Sequence, residues 1–127
     1  MSSFTAPLVV EPLEDGKNWR LVEEFEFYFD DRDGRKAIKI PAGFVTDFAS
    51  VPRVFWNILP PWGKYGKAAV VHDFCYRTGC VSRKKCDWIF LEGMRVLGVP
   101  KWKRLIMWAA VRLFGWSAYV REPKDIG

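Results

Sequence analysis

One short stretch of this 127-residue chain gathers side chains able to move a proton, His72-Asp73-Phe74-Cys75-Tyr76. On a helix, residues three and four apart share a face. Ala69, His72, Asp73 and Tyr76 then line one side, with Ala68, Val71 and Cys75 on another. A neutral imidazole can take a proton from water when an acceptor on its other nitrogen fixes the tautomer. The next helical stretch offers that acceptor. Asp87 sits beside an apolar stripe of Cys86, Phe90, Met94 and Leu97, at a seam where a carboxylate is costly unless paired. An antiparallel turn between the two stretches would bring Asp87 to His72 or Tyr76. Asp73 is left to bind a hard cation such as Ca²⁺, which prefers oxygen ligands. In Thr46-Asp47-Phe48-Ala49-Ser50, Asp47 is a further acid for the same site, with Arg53 or Arg77 as its partner and the Ser50 hydroxyl nearby. The plainer reading of the same residues is a buried polar cluster without chemistry. In it Asp87 is an acid favoured by the helix dipole, and Asp47 caps a turn.

The elements that must position these groups change character near the middle of the chain. Residues 1–42 read mainly as strands. Pro7–Pro12 is a short apolar run fenced by prolines, and Trp19–Phe29 contains the alternation Glu24-Phe25-Glu26-Phe27 of a half-buried strand. Asp33-Gly34 is a strong hairpin turn signal, and Lys36–Ile40 is the returning strand, stopped by Pro41. Residues 43–63 form an irregular connecting segment with one short helical turn expected after Pro52. Residues 64–115 read as three helices. The first, Lys64–Thr78, ends at Gly79; the second is capped by Ser82 and closed by Gly98; the third opens at Pro100 and stops at Gly115. A tail, 116–127, polar from Arg121, follows. The expected fold is α+β in a single domain, a small N-terminal antiparallel sheet packed on a C-terminal bundle of about three helices.

Composition narrows the function classes. Half the residues are hydrophobic and 17% aromatic, which excludes a disordered chain. Residues 1–60 carry 7 basic and 10 acidic side chains, whereas 61–127 carry 13 basic and 5 acidic. The basic half suits phosphate or an anionic membrane surface, or equally a solubilising surface on a small aromatic-rich domain; no nucleic-acid-binding motif accompanies it, so no specific nucleic acid is expected. Cys75, Cys80 and Cys86 are too few and too close for a secreted disulfide framework, and free thiols are expected. The N-terminus has no leader-like apolar run, and Leu105–Val111 is too short to span a bilayer. The third helix puts Lys101, Arg104, Trp108 and Arg112 along one line of an otherwise apolar surface. That pattern suits either a helix lying on anionic lipid or the central helix of the domain with one basic edge reaching water.

Gly43-Phe-Val-Thr-Asp-Phe-Ala-Ser-Val-Pro-Arg53, Ala68-Ala-Val-Val-His-Asp-Phe-Cys-Tyr76, Arg83 and Asp87 together resemble a family of small phage and prophage proteins, domain of unknown function 1353. The resemblance runs from about Gly43 to Gly98. It implies the cytoplasm of a bacterial host, or a virion, and other phage proteins as partners. A more distant resemblance joins His72-Asp73-x-Cys75-Tyr76 to the His-Asp-x-Cys-Tyr helix of phospholipases A2. It implies a hydrolase in which His72 is the general base for water, Asp73 binds Ca²⁺, and Tyr76 and Asp87 support the histidine. Leu59-Pro-Pro-Trp-Gly63 is the nearest equivalent of that family's glycine-rich calcium loop, with prolines where glycines are expected. The alternative is a non-catalytic virion or tail-assembly component whose His/Asp cluster is structural.

Overall fold

Phenylalanine at every second position decides the N-terminal architecture. In the computed structural model, which describes residues 2–5, 8–14, 18–31, 34–46, 54 and 66–119, Phe25, Phe27 and Phe29 are buried along one face of β4 (Phe25–Asp31). The alternation expected from the sequence is therefore the pleat of a strand with one covered face. β4 pairs antiparallel with β5 (Gly34–Ile40) in a register from Phe25 opposite Ile40 to Asp31 opposite Gly34. Gly34 has φ +116°, a turn conformation open to glycine, as the Asp33-Gly34 signal required. Asp33 itself lies outside the described residues. Ile38 and Ile40 face the same side as the phenylalanines, and burial of each such side chain contributes about 1.5–3 kcal/mol.

The long apolar run Trp19–Phe29 is two strands. β3 (Trp19–Leu21) ends at a bend at Val22-Glu23, and the chain then enters β4 in a different sheet. One sheet has the order β1-β4-β5, with β1 at Ser3–Phe4, and the other β2-β3-β6, with β2 at Val10–Pro12 and β6 at Val45–Thr46. All pairings are antiparallel. Phe4 of β1 completes the first apolar face through ring contacts with Phe25 and Phe27 at 6.1 and 4.7 Å.

Three helices follow the strands, so the fold class is α+β: α1 (Gly66–Thr78), α2 (Arg83–Val96) and α3 (Lys101–Phe114). A 3₁₀ turn, Gly115–Ala118, extends α3. The chain divides into two compact units, residues 1–47 and 48–127, and the helices belong to the second. Their ends are set by short-range chemistry. Gly79 adopts φ +65° after α1 and donates to the Cys75 carbonyl at 2.9 Å. Ser82 accepts from the Lys85 N–H at 3.2 Å as the cap of α2. Gly98 at φ +83° closes α2 with two crossed bonds, its own N–H to Arg95 and that of Val99 to Met94.

The two readings left open for α3 are resolved against the central one. On α3 only Met107, Ala110 and Val111 are buried. The most buried helix is α1, in which Gly66, Ala68–Asp73, Cys75 and Tyr76 are all buried. Val54 has 3₁₀ conformation where a helical turn is expected after Pro52, while residues 59–63 and 121–127 lie outside the described residues.

Candidate functional site: a buried histidine–aspartate–tyrosine cluster

α1 and α2 run back to back through the three-residue link after Gly79, and their facing sides place His72, Tyr76 and Asp87 together. His72 Nε2 lies 2.7 Å from Asp87 Oδ1. The Tyr76 hydroxyl donates to the same oxygen at 2.6 Å. The opposite oxygen, Oδ2, accepts from Arg112 Nη1 of α3 at 2.7 Å, and Arg83 Nη1 stands 3.6 Å away. Both His72 and Asp87 have no exposed surface. The imidazole is held between the rings of Tyr76 and Phe90, with centroids at 4.2 and 4.7 Å.

Arg83 fastens the cluster to α3. It donates to the Val111 and Arg112 carbonyls at 3.0 and 3.1 Å, and reaches the Tyr76 hydroxyl at 3.4 Å. A guanidinium at the C-terminal carbonyls of α3 complements its dipole, and at Val111 it adds to the bond from the Gly115 N–H. Tyr119 closes the same side, edge-on to Tyr76 and donating to the Val81 carbonyl at 2.7 Å. Gly115 leaves room for Tyr76, because a Cβ there would stand 2.8 Å from its hydroxyl.

Electrostatics assign the protons. Burial pushes the Asp87 carboxyl up, but hydrogen bonds from His72, Tyr76 and Arg112 overcome it and hold the group below the usual carboxylate range. Asp87 is therefore ionised and can only accept. Burial lowers His72 below its ordinary value despite the carboxylate beside it, so the ring is neutral at pH 7. A neutral ring facing an acceptor through Nε2 carries its proton there, which makes Nδ1 the basic nitrogen. Burial and the Asp87 contact push the Tyr76 phenol up, and it remains protonated.

Asp73 is buried too, and its Oδ2 is 3.3 Å from Arg77 Nε. Ca²⁺ takes six to eight oxygens, and among the described residues no group of three or more acidic, histidine or cysteine side chains is placed to hold a metal. Asp47, Ser50 and Arg53 lie outside the described residues. His72, Tyr76 and Asp87 are thus brought together as expected, while Arg77 partners Asp73. Arg112, expected on a solvent-facing edge, is a correction, since it turns inward to Asp87. Only the i,i+4 spacing of Arg83 and Asp87 on α2 hinted at a guanidinium here; the reach of Arg112 from α3 has no local signal.

All three thiols are free, with Cys75 and Cys86 buried and Cys80 exposed. Cys80 opposes the shift at Cys75, but Cys86 and burial prevail and push that thiol up, as the hydrogen bond with Cys75, then burial, do for Cys80. Raised thiols are poor nucleophiles.

An α+β chain with a buried His–Asp–Tyr cluster on a helical hairpin is the class that fold and site define. The family model for DUF1353, proteins of unknown function, matches residues 19–111, and the chain belongs to that family. The match takes in β3–β6 as well as the helices, more of the chain than the motifs from Gly43 to Gly98 marked out. The chain is 40% identical over 105 residues, 80% of its length, to the uncharacterized protein y4jT of Sinorhizobium fredii. It spans 31% of that relative's length. No solved structure matches.

Proposed function

We propose that His72, Asp87 and Tyr76 form a general-base site for hydrolysis of an ester, with a phospholipid as the substrate class the helix motif suggests. The observation that carries this reading is the 2.7 Å contact of His72 Nε2 with a carboxylate oxygen that also accepts from Tyr76. In such a site Nδ1 takes a proton from water as the oxygen attacks the ester carbonyl carbon. Asp87 stabilises the imidazolium that forms, and the proton then passes to the departing alkoxide. Tyr76 and Arg112 keep the carboxylate from rotating. No step is assigned to a metal. The motif blocks resembling phage and prophage proteins, together with a relative in a bacterium, support a phage or prophage origin, with action in the host cytoplasm or the virion.

A second reading has its own support. His72 has no exposed surface, and two guanidinium groups compensate Asp87. A cluster so enclosed suits a structural core in a virion or tail-assembly component. The deciding experiment assays the protein on phosphatidylglycerol vesicles and on a soluble short-chain ester, with and without Ca²⁺. Ester hydrolysis that falls about 10²–10⁴-fold in His72→Gln, at an unchanged circular dichroism spectrum, establishes the base. No hydrolysis of either ester, together with no rise in melting temperature on adding Ca²⁺, removes it and leaves the structural reading.

A further inference from the structure

We infer that the outward face of α3 is a docking surface for an anionic lipid bilayer. Met107, Ala110 and Val111 point α3 into the protein, and the opposite side carries large exposed apolar groups. On that side Trp102 is 60% exposed and Leu113 67%, with Leu105 and Ile106 exposed between them, and Trp116 of the 3₁₀ turn is 56% exposed. The positions 102, 105, 106, 109, 113 and 116 follow helical spacing, so they make one stripe with a tryptophan at each end. α3 is about 21 Å long at 1.5 Å per residue, and no helix among the described residues is long and apolar enough to cross a membrane. Such a stripe lies in an interface rather than through it.

Charge selects the occupant. From Gly93 to Arg121 the sequence contains no Asp or Glu, against six Lys and Arg. Lys101, Lys103 and Arg104 occupy the first turn of α3, where cations oppose the helix dipole, so helix stability does not account for them. Arg104 is used internally, on the Val99 carbonyl, and Arg112 on Asp87. Lys103 lies over the Trp102 ring at 5.5 Å, beside the apolar stripe. An apolar stripe rimmed by lysines, with tryptophan at its ends, matches the boundary between acyl chains and anionic headgroups. A second copy of the chain is a poorer match, because pairing this face with itself offers its lysines no carboxylate. The inference stands independently of ester hydrolysis.

Co-sedimentation of the whole protein with vesicles tests it. Binding is expected to vesicles of phosphatidylcholine with phosphatidylglycerol, not to phosphatidylcholine alone, and to weaken as salt rises. The double variant Trp102→Ser/Leu113→Ser should lose binding at least tenfold with its thermal melt unchanged, since both side chains are exposed. Lys101→Gln/Lys103→Gln, which leaves the apolar stripe intact, should weaken binding about fivefold per lysine. Failure to bind the anionic vesicles overturns the inference. So does a dimer in sedimentation velocity that Trp102→Ser/Leu113→Ser dissolves, which would make the face an interface between copies. Loss of ester hydrolysis with vesicle binding retained would strike only the catalytic reading.

Discussion

Asp87 receives three hydrogen bonds and a second guanidinium on two oxygens, all on a residue with no exposed surface. Removing the carboxylate leaves Arg112 and Arg83 without their counter-charge, and Asp87→Ala should cost about 3–5 kcal/mol in chemical denaturation. Asp87→Asn keeps the shape, and its stability loss should be smaller. Its amide, however, can present a donor to Nε2 and drive the imidazole into the other tautomer. The proton on His72 can be watched directly, because the chain has one histidine. In ¹⁵N NMR at pH 7 the ring should be neutral with its hydrogen on Nε2, and should titrate below 6.5. Asp87→Asn should move that hydrogen to Nδ1. A charged ring at pH 7, or a hydrogen already on Nδ1, would dismantle the base–acceptor pair.

Helix punctuation and strand alternation were legible because they are local. Gly79, Ser82, Gly98 and the phenylalanines of β4 each act through neighbours within a few residues. So was the meeting of His72 with Asp87, since a short link forces two helices to return on each other. The split of Trp19–Phe29 into two sheets was not legible. The bend at Val22-Glu23 carries no Gly or Pro, and only pairing with distant β6 and β1 separates β3 from β4. Nor was Gly115 legible as more than a helix stop, because the Tyr76 ring it accommodates comes from 39 residues earlier. Its φ of −82° is ordinary, so space rather than backbone freedom requires glycine. Gly115→Ala should therefore destabilise by about 1–3 kcal/mol through overpacking. In a Tyr76→Phe background, which deletes the atom at 2.8 Å, the penalty should shrink. Equal penalties in both backgrounds would show that the clash is relieved elsewhere.

The whole molecule should show a stability plateau bounded by its buried groups. His72 is depressed below 6.5 by burial, so the unfolded chain takes up its proton first. That contribution is complete above about pH 6.5 and lost as pH falls through the lower folded value. Asp87, held below 3.8, adds a loss only at still lower pH. On the alkaline side the signs reverse. Cys75, with an ordinary value of 9.0, and Tyr76, with 10.0, are both raised in the folded protein. Their stabilisation is present below those values and fades as the unfolded chain ionises above them. Melting temperature should thus be nearly flat from about pH 6.5 to 9 and fall on both sides. Among the described residues, the acid limb between pH 6.5 and 5 belongs to His72. His72→Gln keeps an amide donor for Asp87 but cannot titrate, so it should flatten that limb and leave the alkaline one in place. An acid limb of undiminished slope in His72→Gln would mean that carboxylates elsewhere set it, and that burial of His72 does not control the pH response of the fold.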